Sequence, residues 1–245
     1  MSLPDIFYAI SILLLAYFVR GISGFGSGLI AVPLLALRFP LPEVVPFMLI
    51  MDFSASLLLG GMAFKQVAWP EVRRVLPFTL IGVVVGISLL ISLPPRMLLT
   101  ALGIFVLAFA LRSLLLKPGK FQAISAMWAY PAGFTGGAVG GLFGTGGPPL
   151  VIYLSHRIED KSTLRATLSG LFVLEGLFRI TTLFIVGLLY RADIWLYCLL
   201  AAPFVFAALY LGSHVHARLT NTQMTQLIGV LLLVSSASLL VKAWW

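Results

Sequence analysis

GFTGGAVGGLFGTGGPP, residues Gly133–Pro149, interrupts an otherwise apolar region with eight glycines in seventeen residues. A shorter counterpart, GISGFGSGLIAVP, occupies Gly21–Pro33. Each glycine weakens a helix by roughly 1 kcal/mol and leaves backbone amides uncovered. Inside a bilayer such a break survives only where protein or a water-filled cavity surrounds it. Two of them in one chain are the pattern of a binding site built from interrupted helices. The competing reading is close helix packing through glycine, which GxxxG spacing alone would favour. The proline after each break and the crowding of glycines within one copy favour interruption.

Composition sets the class. Of 245 residues, 60% are hydrophobic and only 10% charged, and the mean hydropathy is +1.08. Soluble domains carry about a quarter charged residues, so the chain reads as an all-α polytopic membrane protein. Apolar runs of about the 17–25 residues that cross a bilayer lie near 3–19, 42–64, 75–93, 97–116, 122–142, 164–188, 194–212 and 224–243. They predict about eight transmembrane helices. The apolar pieces 29–37 and 147–155 that follow the breaks are too short to cross alone. They read as half-helices of broken spans or as re-entrant segments. The start of the chain lacks a basic region and a small-residue cleavage site, so its apolar run reads as a retained first span.

The two halves resemble each other. Phe25-Gly26-Ser27-Gly28 matches Phe143-Gly144-Thr145-Gly146, 118 positions on, and Trp69, Pro77-Phe78, Gly86 and Gly103 recur 126 positions on as Trp195, Pro203-Phe204, Gly212 and Gly229. Two tandem repeats are expected, residues 1–120 and 121–245, parallel or inverted according to how each break is traversed. Such repeats meet at a pseudo-two-fold axis where transporters place their substrate. Gly82-x-x-x-Gly86 and Ala208-x-x-x-Gly212 are assigned to helix packing. With eight crossings, the side bearing both termini would hold Lys65, Arg73, Arg74, Arg112, Lys117, Lys120, Arg191 and Lys242. Arg38, Arg96, Arg157, Lys161, Arg165 and Arg218 would lie opposite, which tips both termini toward the cytoplasm.

Ionisable residues inside apolar runs are rare and therefore informative. Arg20 closes the first run beside GISGFG, Asp52 lies within MLIMDFSAS, and Glu175 and Arg179 stand four apart in VLEGLFRITT. Glu175 and Arg179 read either as an internal salt bridge or as substrate and proton machinery. Asp52 reads as paired to a distant arginine or as a protonated carrier. Amides at a half-helix start attract anions, and the hydroxyls of Ser27 and Thr145 stand at matching places. Neutral donors with one or two arginines suit a small oxyanion.

Other chemistries find less support. The +8 net charge is scattered among short loops, as membrane topology requires, rather than gathered into a nucleic-acid footprint. Gly21-Ile22-Ser23-Gly24 has a G-x-S-G pattern similar to that of rhomboid intramembrane serine proteases. The three histidines, His156, His214 and His216, lie in loops or at run ends, away from where such a serine needs a base. The single cysteine, Cys198, permits neither an internal disulfide nor a thiolate metal site. The glycine runs lack the P-loop Lys-Ser/Thr, so nucleotide binding is not supported and transport would follow a gradient. No cofactor or metal is expected.

GISGFGSGLIAVPLL, GGAVGGLFGTGGPPLVIYL and RATLSGLFVL together resemble the TauE/SafE family of membrane permeases, the sulfite exporter family. The resemblance covers nearly the whole chain. Carried over by position, it rests on Gly21, Gly24, Gly26 and Gly28, and on Gly140, Gly141, Gly144, Gly146, Gly147, Pro148 and Pro149. It implies a secondary transporter of sulfite, organosulfonates or related small anions in the bacterial inner membrane.

The expected site therefore joins Arg20, Gly24, Gly26, Ser27, Gly28, Gly144, Thr145, Gly146, Gly147 and Arg179 around the anion. Asp52 and Glu175 are the candidates for proton coupling. The expected partners are a small anion and the lipid bilayer, with no nucleic acid; oligomeric state is open, a homodimer included. An anion channel and an intramembrane serine protease are the alternatives.

Overall fold

The computed structural model of the protein describes residues 3–24, 26–61, 64–115, 123–145, 147–190, 192–215 and 221–244. Among the described residues the regular structure is helical, with no strand. The α-helices in chain order are α1 (Leu3–Ser23), α2 (Ser27–Leu35), α3 (Leu41–Gly61), α4 (Trp69–Ser92), α5 (Pro95–Leu115), α6 (Ala129–Phe143), α7 (Gly147–Ser155), α8 (Lys161–Ile185), α9 (Ala192–Val215) and α10 (Asn221–Trp244). Among the described residues, α1, α3, α4, α5, α8 and α9 are long and apolar enough to cross a membrane. The run expected to cross at 122–142 instead yields α6 with fifteen residues. At 1.5 Å per residue that is about 22 Å, short of a ~30 Å hydrocarbon core.

Left-handed backbone separates α1 from α2 and ends α6. Gly24, Gly26 and Gly144 have φ of 84°, 95° and 72°, where a side chain costs about 1–2 kcal/mol. Contacts at the open ends fix where each break leads. Arg38 donates to Asp5 at 2.8 Å, and the Tyr8 hydroxyl donates to the Leu34 carbonyl at 2.7 Å. The end of α2 thus lies beside the start of α1. In the second half, Arg157 donates to the Ile124 carbonyl at 2.8 Å, and the Ile124 N–H to the His156 carbonyl at 3.4 Å. Ile124 precedes α6 and Arg157 follows α7. Both breaks are therefore re-entrant hairpins.

This sets the path of the chain. We call the side where α1 begins the near side. The α1–α2 hairpin returns to it, α3, α4 and α5 carry the chain across three times, and the α6–α7 hairpin enters from the far side. Helices α8, α9 and α10 then bring the chain back. Lys242 near the end of α10 donates to the carbonyls of Ala36 and Leu37 at 3.0 and 2.9 Å, and the Arg96 guanidinium lies 4.3 Å over the Trp244 ring. All four residues sit on the near side. At the far side, the Ala68 N–H ahead of α4 donates to Thr167 of α8 at 2.9 Å. The hairpins consequently shift every loop between α2 and α6 to the side opposite the expected one. Lys65, Arg73, Arg74 and Arg112 lie toward the far side, Arg38 and Arg96 on the near side. Lys117, Lys120, Arg191, His216 and Arg218 lie outside the described residues.

Helices pack in pairs: α4 with α6, α1 with α9, α5 with α10, and α3 with α8. Exchanging α1–α5 with α6–α10 maps this pairing onto itself. Glycine makes the closest seams. A Cβ on Gly133 would meet the Val75 carbonyl, one on Gly141 the Val83 carbonyl, and one on Gly82 the Phe134 carbonyl. Residue numbers rise together along that seam, so α4 and α6 run parallel. Gly212 meets the Phe18 carbonyl and Gly21 in the same manner, which places the Gly82/Gly86 and Ala208/Gly212 motifs in packing. Leucine, isoleucine and valine side chains on the outer faces of α4, α5 and α9 stay exposed, as lipid contact requires. Asp160 caps α8 through the Thr163 N–H at 2.8 Å. The Ser162 hydroxyl, then the Thr163 N–H and hydroxyl, hold its carboxyl down at about 2.

Candidate functional site

The two hairpin tips come from opposite sides and meet inside the bundle. A Cβ added at Gly28 would lie 2.9 Å from the Gly144 carbonyl oxygen and 3.1 Å from Thr145 Cγ2. Only a residue without a side chain allows the tips this close. Between them, walled by α3 and α8, is a cavity of about 50 Å³. Ten of the twelve candidate residues line it: Arg20, Gly26, Ser27, Gly28, Asp52, Gly144, Thr145, Gly147, Glu175 and Arg179. Gly24 lies instead against Arg165, 3.0 Å from Cβ to Cγ. Gly146 and the side chain of Ser23 lie outside the described residues.

On the first-half wall the charges are matched. Arg20 pairs with Asp52, two elements away in sequence, so Asp52 has the distant arginine its position called for. Arg20 also donates to Ser27 Oγ at 2.9 Å, to Ser56 Oγ at 2.6 Å and to the Asp52 carbonyl at 3.1 Å. Asp52 accepts further hydrogen bonds from the hydroxyls of Tyr17 and Ser27, each at 2.7 Å. This network ties α1, the start of α2, and α3 together.

The second-half wall is different. Arg179 reaches Glu175 one turn back through a single 3.3 Å contact. Both side chains are buried, with 5% of each residue exposed. Arg179 Nε and Nη2 and the Thr145 hydroxyl, together with Arg20 Nε on the first-half wall, are buried without a hydrogen-bond partner among the described residues. A Cβ built on Gly144 would lie 3.7 Å from Arg179 Nη2, which places that donor at the α6–α7 tip. A buried, unpartnered donor costs about 1–3 kcal/mol, more when charged. Four such groups, on Arg20, Thr145 and Arg179, belong to residues that line this one cavity.

The half-helix starts add positive ends of dipoles from both sides, but unequally. At α2, Ser27, Gly28 and Leu29 all carry an N–H. At α7, Pro148 and Pro149 carry none, so side chains replace amides as donors there. The sequence reading passed over Ser56, Tyr17 and the apolar cavity wall of Leu49, Phe53 and Phe172. A helical signal existed for two of them, because Ser56 is four residues from Asp52 and Tyr17 three from Arg20. The aromatic wall had none, since phenylalanine in an apolar run is indistinguishable from core.

The sequence model of the family described as Sulfite exporter TauE/SafE matches residues 9–239. The chain is also 31% identical over 201 residues to the "Probable inner membrane transporter protein TsaS" of Comamonas testosteroni, covering 80% of this chain and 82% of that one. No solved structure matches significantly. With a helical bundle suited to the membrane, paired glycine hairpins and a family match across most of its length, this chain belongs to the Sulfite exporter TauE/SafE family and is a multi-pass inner-membrane transporter.

Proposed function

We propose that the protein is a proton-coupled carrier of small anions, with sulfite, organosulfonates and carboxylates as the substrate class. The observation that carries this is the set of buried donors without partners among the described residues, Arg179 Nε, Arg179 Nη2 and the Thr145 hydroxyl, with Arg20 Nε across the cavity. Volume agrees with a small cargo. A single water needs about 10–15 Å³ on the same measure, so about 50 Å³ suits a group of a few heavy atoms. Oxyanions accept several hydrogen bonds at once, and a guanidinium offers them in a fork.

Charge balance supplies the coupling. Arg20, Asp52, Arg179 and Glu175 sum to zero in their charged forms, so an arriving monovalent anion leaves one uncompensated negative charge in a buried place. Each such charge costs several kcal/mol. A proton on Glu175 restores neutrality and releases Arg179 to the anion. Asp52, already held by Arg20, Ser27 and Tyr17, takes a positioning role in this scheme. The contact between the two tips supports a carrier over an open channel. We infer also that residues 1–120 and 121–245 are two copies of one unit in inverted orientation, the site lying where their equivalent tips meet. The exchange symmetry of the helix pairs and the opposed hairpins support it.

The test is anion uptake into proteoliposomes with and without a pH gradient. Wild type should saturate and respond to the gradient. Arg179→Gln should lower flux by more than about a hundredfold, since two charge-assisted hydrogen bonds are worth about 3 kcal/mol or more. Glu175→Gln should keep flux but lose the response to the gradient. Full flux in Arg179→Gln sinks the anion site, and an unchanged gradient response in Glu175→Gln sinks the coupling.

A further inference from the structure

A polar cluster outside the anion cavity sits at the far-side seam between α4 and the α6–α7 hairpin. Glu71, in the first turn of α4, is 8% exposed. Its Oε1 accepts from Arg74 at 2.8 Å and from Arg157 Nη2 and Nε at 2.9 and 3.2 Å. Its Oε2 accepts from the Tyr153 hydroxyl at 2.7 Å. Arg157 donates its remaining Nη1 to the Ile124 carbonyl. One carboxylate thus joins α4, the end of α7 and the segment ahead of α6. Hydrogen bonding to Glu71 raises Arg157 above its ordinary value against the opposing effect of burial, so this cation stays charged.

The matching seam on the near side is built differently. There α9, the end of α2, and α1 take the places of α4, α7 and α6. Leu35, Phe39, Tyr197, Ile6 and Ala9 surround a mostly apolar cavity of about 210 Å³, in which Glu43 is the one charged lining residue among those described. The α4–α6 seam is also closed by glycines along its length, at Gly133, Gly137 and Gly141, whereas glycine contact between α1 and α9 is confined to Gly21 and Gly212. Both seams carry an ion pair, but in unlike settings: the Arg38–Asp5 pair on the near side is the more exposed and sits beside a mostly apolar cavity, whereas the Arg157–Glu71 pair on the far side is more deeply buried in a closed seam.

We propose that Glu71, Tyr153 and Arg157 form the far-side latch of the transport cycle. The conformation described here is the one closed at the far side, and the latch parts when the anion site turns to face that side. The inference rests on the transport reading above, because a latch of this kind has work only in a protein whose site changes sides. Its chemistry suits the task. Breaking it exposes one carboxylate and one guanidinium to water at the membrane edge, where both are well solvated, so the ion pair is strong enough to hold and weak enough to open.

The test reads conformation separately from flux. In full-length protein with Cys198→Ala, a thiol placed by Leu150→Cys lies buried behind the latch, and one placed by Val45→Cys lies buried on the near side. Each is timed against a membrane-impermeant maleimide in proteoliposomes, with maleimide supplied to both faces. Glu71→Gln and Arg157→Gln should speed labelling at the Leu150→Cys site about tenfold or more. Tyr153→Phe should speed it roughly fivefold, the worth of one hydrogen bond. Labelling at Val45→Cys should not rise. Unchanged labelling at Leu150→Cys in both Glu71→Gln and Tyr153→Phe overturns the latch whatever the flux. An equal rise at Val45→Cys also overturns it, marking general loosening. Absent anion flux in the wild type overturns the transport reading instead, and the labelling contrast still decides whether the seam opens as described.

Discussion

Arg20 and Arg179 are both nearly fully buried and both face a carboxylate, yet they are bound to different fates. The terminal nitrogens of Arg20 go to Asp52, Ser56 and Ser27, and Asp52 in turn holds Tyr17. Removing Arg20 would leave a carboxylate with its counter-charge gone, a loss of about 3–5 kcal/mol for a buried pair. Arg179 has one long contact and two unpartnered nitrogens, so its burial is already poorly compensated. Its removal leaves Glu175, which can take a proton. Arg20→Met should therefore lower thermal stability in detergent sharply, and adding Asp52→Asn should recover most of it because neither charge is then stranded. Arg179→Met should keep the fold and lose transport. Thermal unfolding of the three variants beside their flux separates the roles. Equal destabilisation by Arg20→Met and Arg179→Met would remove the distinction between clasp and binder.

Among the elements, glycine does two unlike jobs that the sequence spells with one letter. Gly26 sits at φ 95° with nothing within 4 Å of a built Cβ, while Gly137 is in an ordinary helix with the Thr79 carbonyl where a Cβ would go. Gly26→Ala should cost about 1–2 kcal/mol, the strain of a left-handed alanine. Gly137→Ala should cost more, because backbone has to move to relieve overpacking that is typically worth about 1–3 kcal/mol even among side chains. Thermal unfolding of the pair checks the order, and the reverse order would give Gly26 a role beyond conformation. Apolar runs and glycine breaks were legible because bilayer thickness and helix propensity act on local sequence. Whether a break reverses the chain was not, because it depends on φ at Gly24, Gly26 and Gly144 and on contacts such as Asp5–Arg38 that close over more than thirty residues. The same reason hid Glu71, which lies in a polar separator while Tyr153 lies in an apolar run, with nothing local to join them.

The whole molecule has an orientation that follows from its path. Three helices, α3, α4 and α5, carry the chain across between the two hairpins, so the hairpins enter from opposite sides. Among the described residues, Arg38, Arg96 and Lys242 lie toward the near side. Lys65, Arg73, Arg74, Arg112, Arg157, Lys161 and Arg165 lie toward the far side. Basic residues in short loops stay in the cytoplasm, and acidic ones contribute little to the choice. Seven against three, a margin wider than the one expected from eight simple crossings, predicts a cytoplasmic far side. On that prediction the start of α1 and the end of α10 face the periplasm, where the eight-crossing reading expected the cytoplasm, and the Glu71–Arg157 cluster lies on the cytoplasmic side. In intact cells, with Cys198→Ala as background, a thiol placed by Lys65→Cys should resist a membrane-impermeant maleimide until the membrane is permeabilised. One placed by Arg96→Cys should react at once. The opposite pattern would reverse the orientation, whereas equal reaction of both thiols in intact cells would contradict the path of the chain itself, since α4 then could not separate residue 65 from residue 96 by a full crossing.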